Sequence, residues 1–259
     1  MTLDRTLRIA VDIGGTFTDC VIQGEAGFRF VSKALTTKQD PSIGVIDCLV
    51  AAAERLQVDV RDIVSRTTAF VHGTTVGTNA LTERRGVRTG LLMTQGHEQT
   101  MIIGRVRQKV TGLSEREKIH VTHLSKADPP IIVPEDIRPI TERIDRDGKV
   151  VVPLDMAAAE RALDALVAQG IQSLAIVLLW SFVNPTHEEA LETLARRKYP
   201  QLFVSRSSEV APRSGEYERC VSTAFNSYIG PIVGDYLVRL EERLKDLGMR
   251  CALLVMQAN

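Results

Sequence analysis

Near the front of the chain, in VDIGGTFTDCVI at residues 11–22, an acid, two glycines and two hydroxyls interrupt an apolar run. Successive backbone N–H groups directed into one space bind an anion, and glycine lets that backbone approach closely. Gly14 and Gly15 supply such a turn between two strands, and the Thr16 and Thr18 hydroxyls add donors. Asp12 and Asp19 are poor neighbours for a phosphate by themselves. A divalent cation resolves the conflict, because Mg2+ takes one or two carboxylates together with phosphate oxygens and water. The pattern therefore reads as a phosphate-binding hairpin, and the plain alternative is a tight Gly-Gly turn capped by polar residues. Neither GxxxxGK[ST] nor a GxGxxG between strand and helix occurs, so a bound nucleotide would occupy neither a P-loop nor a dinucleotide crevice.

A second cluster is VHGTTVGTNAL at 71–81. A strand ends at His72, and Gly73, Thr74 and Thr75 stand where a helix opens, so free N–H groups, the helix dipole and hydroxyls would meet there. An ordinary Thr N-cap explains one threonine but not the grouping of His72, Thr74, Thr75, Thr78 and Asn79. Weaker signals follow. The adjacent His97 and Glu98 diverge on any regular element and read as surface or helix-start residues. His120 and His123 would meet only on a helical turn. SEVAPRSGEYER at 208–219 reads as solvated capping of a helix, with Glu209, Glu216 and Arg219 as the residues to test otherwise.

The elements that must position these groups are legible from periodicity and turn chemistry. Apolar runs at 7–13, 17–23 and 27–35, joined by Gly-containing turns, form a β-meander. Asp40-Pro41 opens a helix. Strand 67–73, helix 74–86 and strand 87–94 follow. Residues 96 to about 139 hold no long periodic element, and 140–154 reads as a hairpin turning at Asp147-Gly148. Asp155 caps a helix with Met156, Ala159, Leu163, Leu166 and Val167 inward. Strand 171–179, a helix opened by Asn184-Pro185 and strand 202–205 come next. A helix stripe from Tyr217 to Tyr228 is expected to break or kink at Gly230-Pro231, with a second helix reaching Leu247, Gly248 as C-cap and a last strand over 250–256. A meander followed by alternating helix and strand gives an α/β fold with a mixed sheet.

Composition bounds the rest. The 259 residues carry 32 Lys+Arg against 32 Asp+Glu, a balance that argues against coating a polyanion. The longest apolar run, LAIVLLWSFV, is too short to span a bilayer. Cys20, Cys48, Cys220 and Cys251 are scattered, without C-x-x-C or metal spacing. They read as reduced thiols of a cytoplasmic protein.

Taken together and in order, DIGGTFTD, HGTTVGTNAL, ERIDRDGKVVVPLD, SFVNPTHEEAL and SSEVAPRSGEYERCVSTAFNSYIGP resemble the N-terminal half of the hydantoinase A/5-oxoprolinase family. That family includes subunits of acetone- and acetophenone-type carboxylases, and residues 102–130 resemble the carboxylase and N-methylhydantoinase-like branch more than the oxoprolinases. The resemblance implies an actin/Hsp70/sugar-kinase-like (ribonuclease H-like) ATPase lobe, one of two that grip Mg-ATP. It implies phosphorylation of a cyclic amide at its carbonyl oxygen, or of a carboxylation substrate, followed by attack of water or a carbanion equivalent. Asp12, Gly14, Gly15, Thr16, Thr18 and Asp19 become the phosphate contacts, with Asp12 also holding Mg2+. His72, Thr74, Thr75 and Asn79 become catalytic candidates lining the cleft.

Members of that family are longer. On this expectation residues 1–249 form the N-terminal lobe, with an irregular insert at about 96–150, and 250–259 begin a second lobe. The chain alone would then have little ATPase activity. Its partners would be a small-molecule substrate and the remaining lobe or a second subunit, not nucleic acid or membrane. Two alternatives stand beside this reading. One is a non-catalytic interaction subunit. The other is a small-molecule kinase of the ROK type, whose loop also reads Asp-x-Gly-Gly-Thr but whose zinc cluster and Glu-x-Gly-His signature are missing here.

Overall fold

The computed structural model describes residues 6–25, 27–37, 39–104, 112–119 and 130–256; His120 and His123 lie outside the described residues. The chain divides into two compact units, residues 1–83 with 232–259 and residues 84–231.

In the first unit, β1 (Leu7–Ile13), β2 (Phe17–Gly24) and β3 (Arg29–Leu35) form the expected antiparallel meander. Strict alternation along β1 buries Leu7, Ile9, Val11 and Ile13 and turns the residues between them to the other face. Helix α1 (Pro41–Leu56) opens as its sequence directs, with Asp40 accepting from the Ser42 N–H and Pro41 in the first turn. After α2 (Val60–Ser65), β4 (Thr67–Thr74) runs parallel to β1. The last strand, β11 (Leu253–Val255), pairs in parallel with β4, so the sheet order is β11-β4-β1-β2-β3. The segment expected to begin another lobe thus forms the edge of this sheet. The core beneath it joins Ile9, Leu49, Ile63 and Phe70 to Tyr236, Leu240 and Leu244. Each fully buried Leu or Ile there contributes about 1.5–3 kcal/mol. Helix α3 (Val76–Thr82) is shorter than its sequence suggests.

The second unit is built on a four-stranded parallel sheet of order β10-β9-β5-β6. β5 (Thr89–Thr94) and β9 (Ser173–Val177) are buried along their whole length, which is why they read as unbroken apolar runs. β6 (Ile137–Ile140) lies in the stretch expected to be irregular. Pro139 disguises it, and the strand is tolerated because it is a sheet edge, where a missing N–H costs no ladder bond. The two short helices α4 (Thr100–Ile103) and α5 (Glu115–Lys118) also fall in that stretch. β7 (Arg143–Ile144) and β8 (Val150–Val152) make the expected hairpin, with Gly148 at φ 79°. α6 (Met156–Ala168) is capped by Asp155 and buries Ala159, Leu163 and Leu166, whereas Met156 is exposed. α7 (Thr186–Lys198), β10 (Phe203–Arg206) and the short α8 (Ser207–Val210) complete the layer.

Helix α9 (Glu216–Asp246) corrects the expectation of two helices, for it continues through Gly230-Pro231. Gly230 serves close packing, since an added Cβ would come within 2.5 Å of the Phe203 ring. At its end, Gly248 at φ 98° donates to Lys245 and Met249 donates to Leu244, closing the helix as the glycine predicts. None of the four cysteines forms a disulfide. Among the described residues no helix is long and apolar enough to cross a membrane.

Candidate functional site

The parallel register of β1 on β4 sets Val11 beside His72, Asp12 beside Gly73 and Ile13 beside Thr74. The glycine hairpin and the threonine cluster therefore leave the sheet side by side, at the carboxyl ends of neighbouring parallel strands. Ligands of open α/β sheets bind at that edge. Thr75 ties the two segments together: its hydroxyl donates to the Ile13 carbonyl (3.1 Å), and Asn79 Nδ2 donates to Thr75 Oγ1 (3.2 Å). The Thr74 hydroxyl accepts from the Val76 N–H and opens α3.

The two glycines of the hairpin do different work. Gly14 donates its N–H to Phe17 O (2.9 Å), and a Cβ on it would press that carbonyl at 3.2 Å. It closes the turn. A Cβ on Gly15 would meet nothing within 4 Å, and neither glycine lies in the left-handed region. Gly15 keeps space open at the tip. Among the described residues, the Gly15 and Thr16 N–H groups donate to no protein acceptor.

Across the hairpin Asp12 directly opposes Asp19, and Asp19 opposes Lys33 on β3. Like charges in that position repel. Lys33 Nζ lies 3.2 Å from Asp19 Oδ1 and relieves one of them. Asp12 is exposed and has no ion-pair partner among the described residues. Gly73 makes room for it, since a Cβ there would sit 3.0 Å from Asp12 Oδ1. The described residues contain no group of three or more His, Cys, Asp or Glu able to hold a metal. A cation here would rest on Asp12 and on oxygens of its ligand, the arrangement Mg2+ favours with phosphates.

Two residues expected at this edge are turned away from it. His72 is fully buried on the core face of β4, where its Nε2 meets the Tyr236 hydroxyl at 2.6 Å. Burial holds its pKa below the usual imidazole value, so the ring is a neutral packing group. Thr18 is also fully buried, its hydroxyl 3.1 Å from that of Thr36. Strand alternation decides both cases: each lies one residue out of phase with the row of the exposed Asp12 and the half-buried Asp19. Thr36 itself escaped the sequence reading. Its hydroxyl donates to Gly14 O (2.9 Å) and its N–H to Thr16 O (2.9 Å), which pins both loop carbonyls inward. Nothing in the flanking residues of Thr36 signals that role.

The carboxyl edge of the second unit concentrates polar groups differently. Thr94, at the end of β5, accepts from the Leu179 N–H and donates to the buried Glu142, whose other oxygen meets His187 Nδ1 at 2.8 Å. The neighbouring Glu188, fully buried, accepts from the N–H groups of Leu178 (2.9 Å) and Ser208 (2.8 Å) and from the Ser181 and Ser207 hydroxyls. Arg219 donates to those same hydroxyls, lies 3.7 Å from Glu188 and stacks over Phe182. It is 1% exposed and not part of a solvated cap; burial lowers its pKa against the opposing pull of Glu188. Glu209, by contrast, is exposed and pairs with Arg206.

The profile of the hydantoinase/oxoprolinase N-terminal region matches residues 8–199. The chain is 34% identical over 253 residues to caprolactamase subunit alpha from Pseudomonas jessenii, covering 97% of this chain and 35% of that protein. The crystal structure of the ATP-dependent caprolactamase from Pseudomonas jessenii superposes with a TM-score of 0.81 at 33% identity, over 96% of this chain and 35% of that one. A nucleotide-free structure of acetone carboxylase, described under ATP-dependent acetone carboxylation, superposes at 0.85 with 25% identity, over 97% of this chain and 36% of the other. The chain thus spans about a third of the length of these relatives, and its mixed α/β architecture is the ATPase-like fold that they share.

Proposed function

The chain belongs to the hydantoinase/oxoprolinase family, and from that premise we propose that its first unit is the phosphate-holding part of an ATP-dependent enzyme acting on a cyclic amide or a ketone-type carboxylation substrate. The observation that carries this reading is the edge where β1 and β4 end together. There, among the described residues, the Gly15 and Thr16 N–H groups donate to no protein acceptor, a Cβ on Gly15 would meet nothing within 4 Å, and the exposed Asp12 has no ion-pair partner. Backbone donors and a single carboxylate suit a polyphosphate that arrives with its own cation. Thr74, Thr75 and Asn79 border that region as polar contacts for the transferred group or the substrate, and Asp19 is a secondary contact held by Lys33. Thr18 and His72 act from below, as supports of the loop and the strand.

In phosphoryl transfer the protein mainly positions groups and neutralises charge. Bound Mg2+ would supply charge neutralisation between Asp12 and the phosphates. Adenosine contacts and the rest of the reaction are assigned to the part of the enzyme that relatives carry beyond this length, or to a second subunit.

Calorimetric titration of the full-length protein with Mg-ATP tests the reading. Binding at millimolar or tighter affinity is expected, and its loss in both Asp12→Ala and Gly15→Val. Because a Cβ at Gly15 meets no neighbour, Gly15→Val keeps its fold by circular dichroism, so lost affinity reports on the ligand. Wild-type affinity in both variants would sink the proposal.

A further inference from the structure

We propose that Cys20 and Cys48 form a reversible oxidation site beneath the glycine hairpin, closed to a disulfide by hydrogen peroxide and coupled to the hairpin through Thr18 and Thr36. The packing of α1 on β2 brings the two thiols together. Period-two alternation puts Thr18, Cys20 and Ile22 on one face of β2, all fully buried. One-turn spacing puts Gly44, Cys48 and Ala52 on one face of α1, all buried. The helix comes close because a glycine stands over Thr18: an added Cβ at Gly44 would sit 3.1 Å from Thr18 Oγ1. One turn further on, Cys48 Sγ donates to Thr18 O at 3.4 Å. The Cys20 thiol, two residues along the strand, hydrogen-bonds with that same sulfur.

The contact makes the two thiols unequal. The hydrogen bond from Cys20 holds Cys48 below the ordinary thiol pKa, and the same contact, together with burial, pushes Cys20 up. Cys48 is therefore the sulfur that reacts first. It attacks one oxygen of the peroxide: an S–O bond forms, the O–O bond breaks, and the departing hydroxide takes the thiol proton and leaves as water. The Cys20 sulfur then attacks Cys48. The S–S bond forms, the S–O bond breaks, and the released hydroxide takes the Cys20 proton as a second water. Two thiols lose two electrons and one peroxide gains them. Both sulfurs are fully buried, so the oxidant must be small and must wait for a local opening of α1 on β2.

Thr18 connects this site to the hairpin. Its hydroxyl lies 3.1 Å from that of Thr36, whose Oγ1 donates to Gly14 O and whose N–H donates to Thr16 O. Hydrogen bonds thus lead from Cys48 to both loop carbonyls. A covalent S–S bond is shorter than any contact between separate sulfurs, so oxidation draws α1 toward β2 and withdraws the Cys48 S–H from Thr18 O. Gly44 leaves no slack on that path, since even a Cβ there would press Thr18 Oγ1 at 3.1 Å and Leu35 O at 3.2 Å. The helix can follow only by displacing Thr18 and Thr36, and the loop carbonyls they hold are loosened. The consequence for a nucleotide rests on the proposed function; the disulfide and the loosened hairpin do not.

The test exposes the full-length protein to hydrogen peroxide and follows it by non-reducing peptide mass mapping, amide hydrogen exchange and calorimetric titration with Mg-ATP. A Cys20–Cys48 linked peptide is expected, with faster exchange across the hairpin from Gly14 to Thr18. Mg-ATP affinity should fall about tenfold, the size of one lost hydrogen bond. Dithiothreitol should reverse all three changes, which separates a disulfide from irreversible oxidation without any substitution. Cys251→Ala should respond as the wild type does, whereas Cys20→Ala and Cys48→Ala should keep their exchange and affinity after peroxide. The inference is overturned if no Cys20–Cys48 linkage forms, if the linkage leaves hairpin exchange unchanged, or if Cys20→Ala responds like the wild type. Absent Mg-ATP binding by the reduced protein would instead remove the phosphate reading, and linkage and exchange would still decide this one.

Discussion

The carboxyl edges of the two sheets solve opposite problems with similar residues. In the first unit the polar groups are left over: among the described residues Asp12 has no ion-pair partner, the Gly15 and Thr16 N–H groups donate to no protein acceptor, and a Cβ on Gly15 would meet nothing within 4 Å. In the second unit the charges consume one another. Glu188 takes two backbone N–H groups and two hydroxyls, Arg219 closes over the same hydroxyls, and Glu142 joins Thr94 to His187. The difference teaches where binding capacity resides. A satisfied network gives rigidity and has nothing left for a ligand, whereas an unsatisfied edge waits for one.

The comparison breaks most visibly at Glu188. Replacing it with Leu strands the buried Arg219 cation and removes the acceptor for two backbone N–H groups, at a cost of about 3–5 kcal/mol. Its neighbour Glu189, half exposed and paired only at the surface with Arg206, should lose less than about 1 kcal/mol on the same change. Denaturant midpoints of the two variants measure the contrast, and equal midpoints would mean that the network carries no special burden.

A smaller effect is expected at Thr36, where the first unit does contain a spent polar group. Thr36→Val removes the hydroxyl that holds Gly14 O and should cost about 1 kcal/mol in stability. It should also lower Mg-ATP affinity without abolishing it, and Thr36→Ser should restore both. Full nucleotide affinity in the Val variant would separate the hydroxyl from the loop's function.

The smallest change sharpens the comparison by reversing its sign. Asp12→Asn removes a like-charge opposition with Asp19 and should stabilise the ligand-free protein by roughly a few tenths of a kcal/mol, read as a higher unfolding midpoint. Nucleotide binding should be lost in the same variant. A carboxylate that costs stability yet supports binding marks a functional edge; a destabilised Asn variant would instead mark Asp12 as structural.

Much of this was open to reading from the chain alone, because its causes are local. Alternation and turn glycines fix the β1–β2–β3 meander. Asp40, Asp155 and Asn184 announce the helices that follow them, and the Asp-x-Gly-Gly-Thr turn announces the tip proposed to bind an anion. Each depends on residues within about one turn of one another. What the tertiary structure alone decided has partners far away in sequence. Thr18 is spent on Thr36, 18 residues on; His72 on Tyr236, 164 residues on; Arg219 on Ser181, 38 residues back. Pro139 hides a strand that only its place at a sheet edge permits, and Gly230 sits within an unbroken helix because the Phe203 ring leans on it. Side-chain type tells what a residue can bind, but which face it takes and what already occupies its hydrogen bonds are set when distant segments pack. For that reason the sequence determined the glycine hairpin on which the proposed phosphate site rests, and the packed fold decided that His72 and Thr18 stand behind it rather than in it.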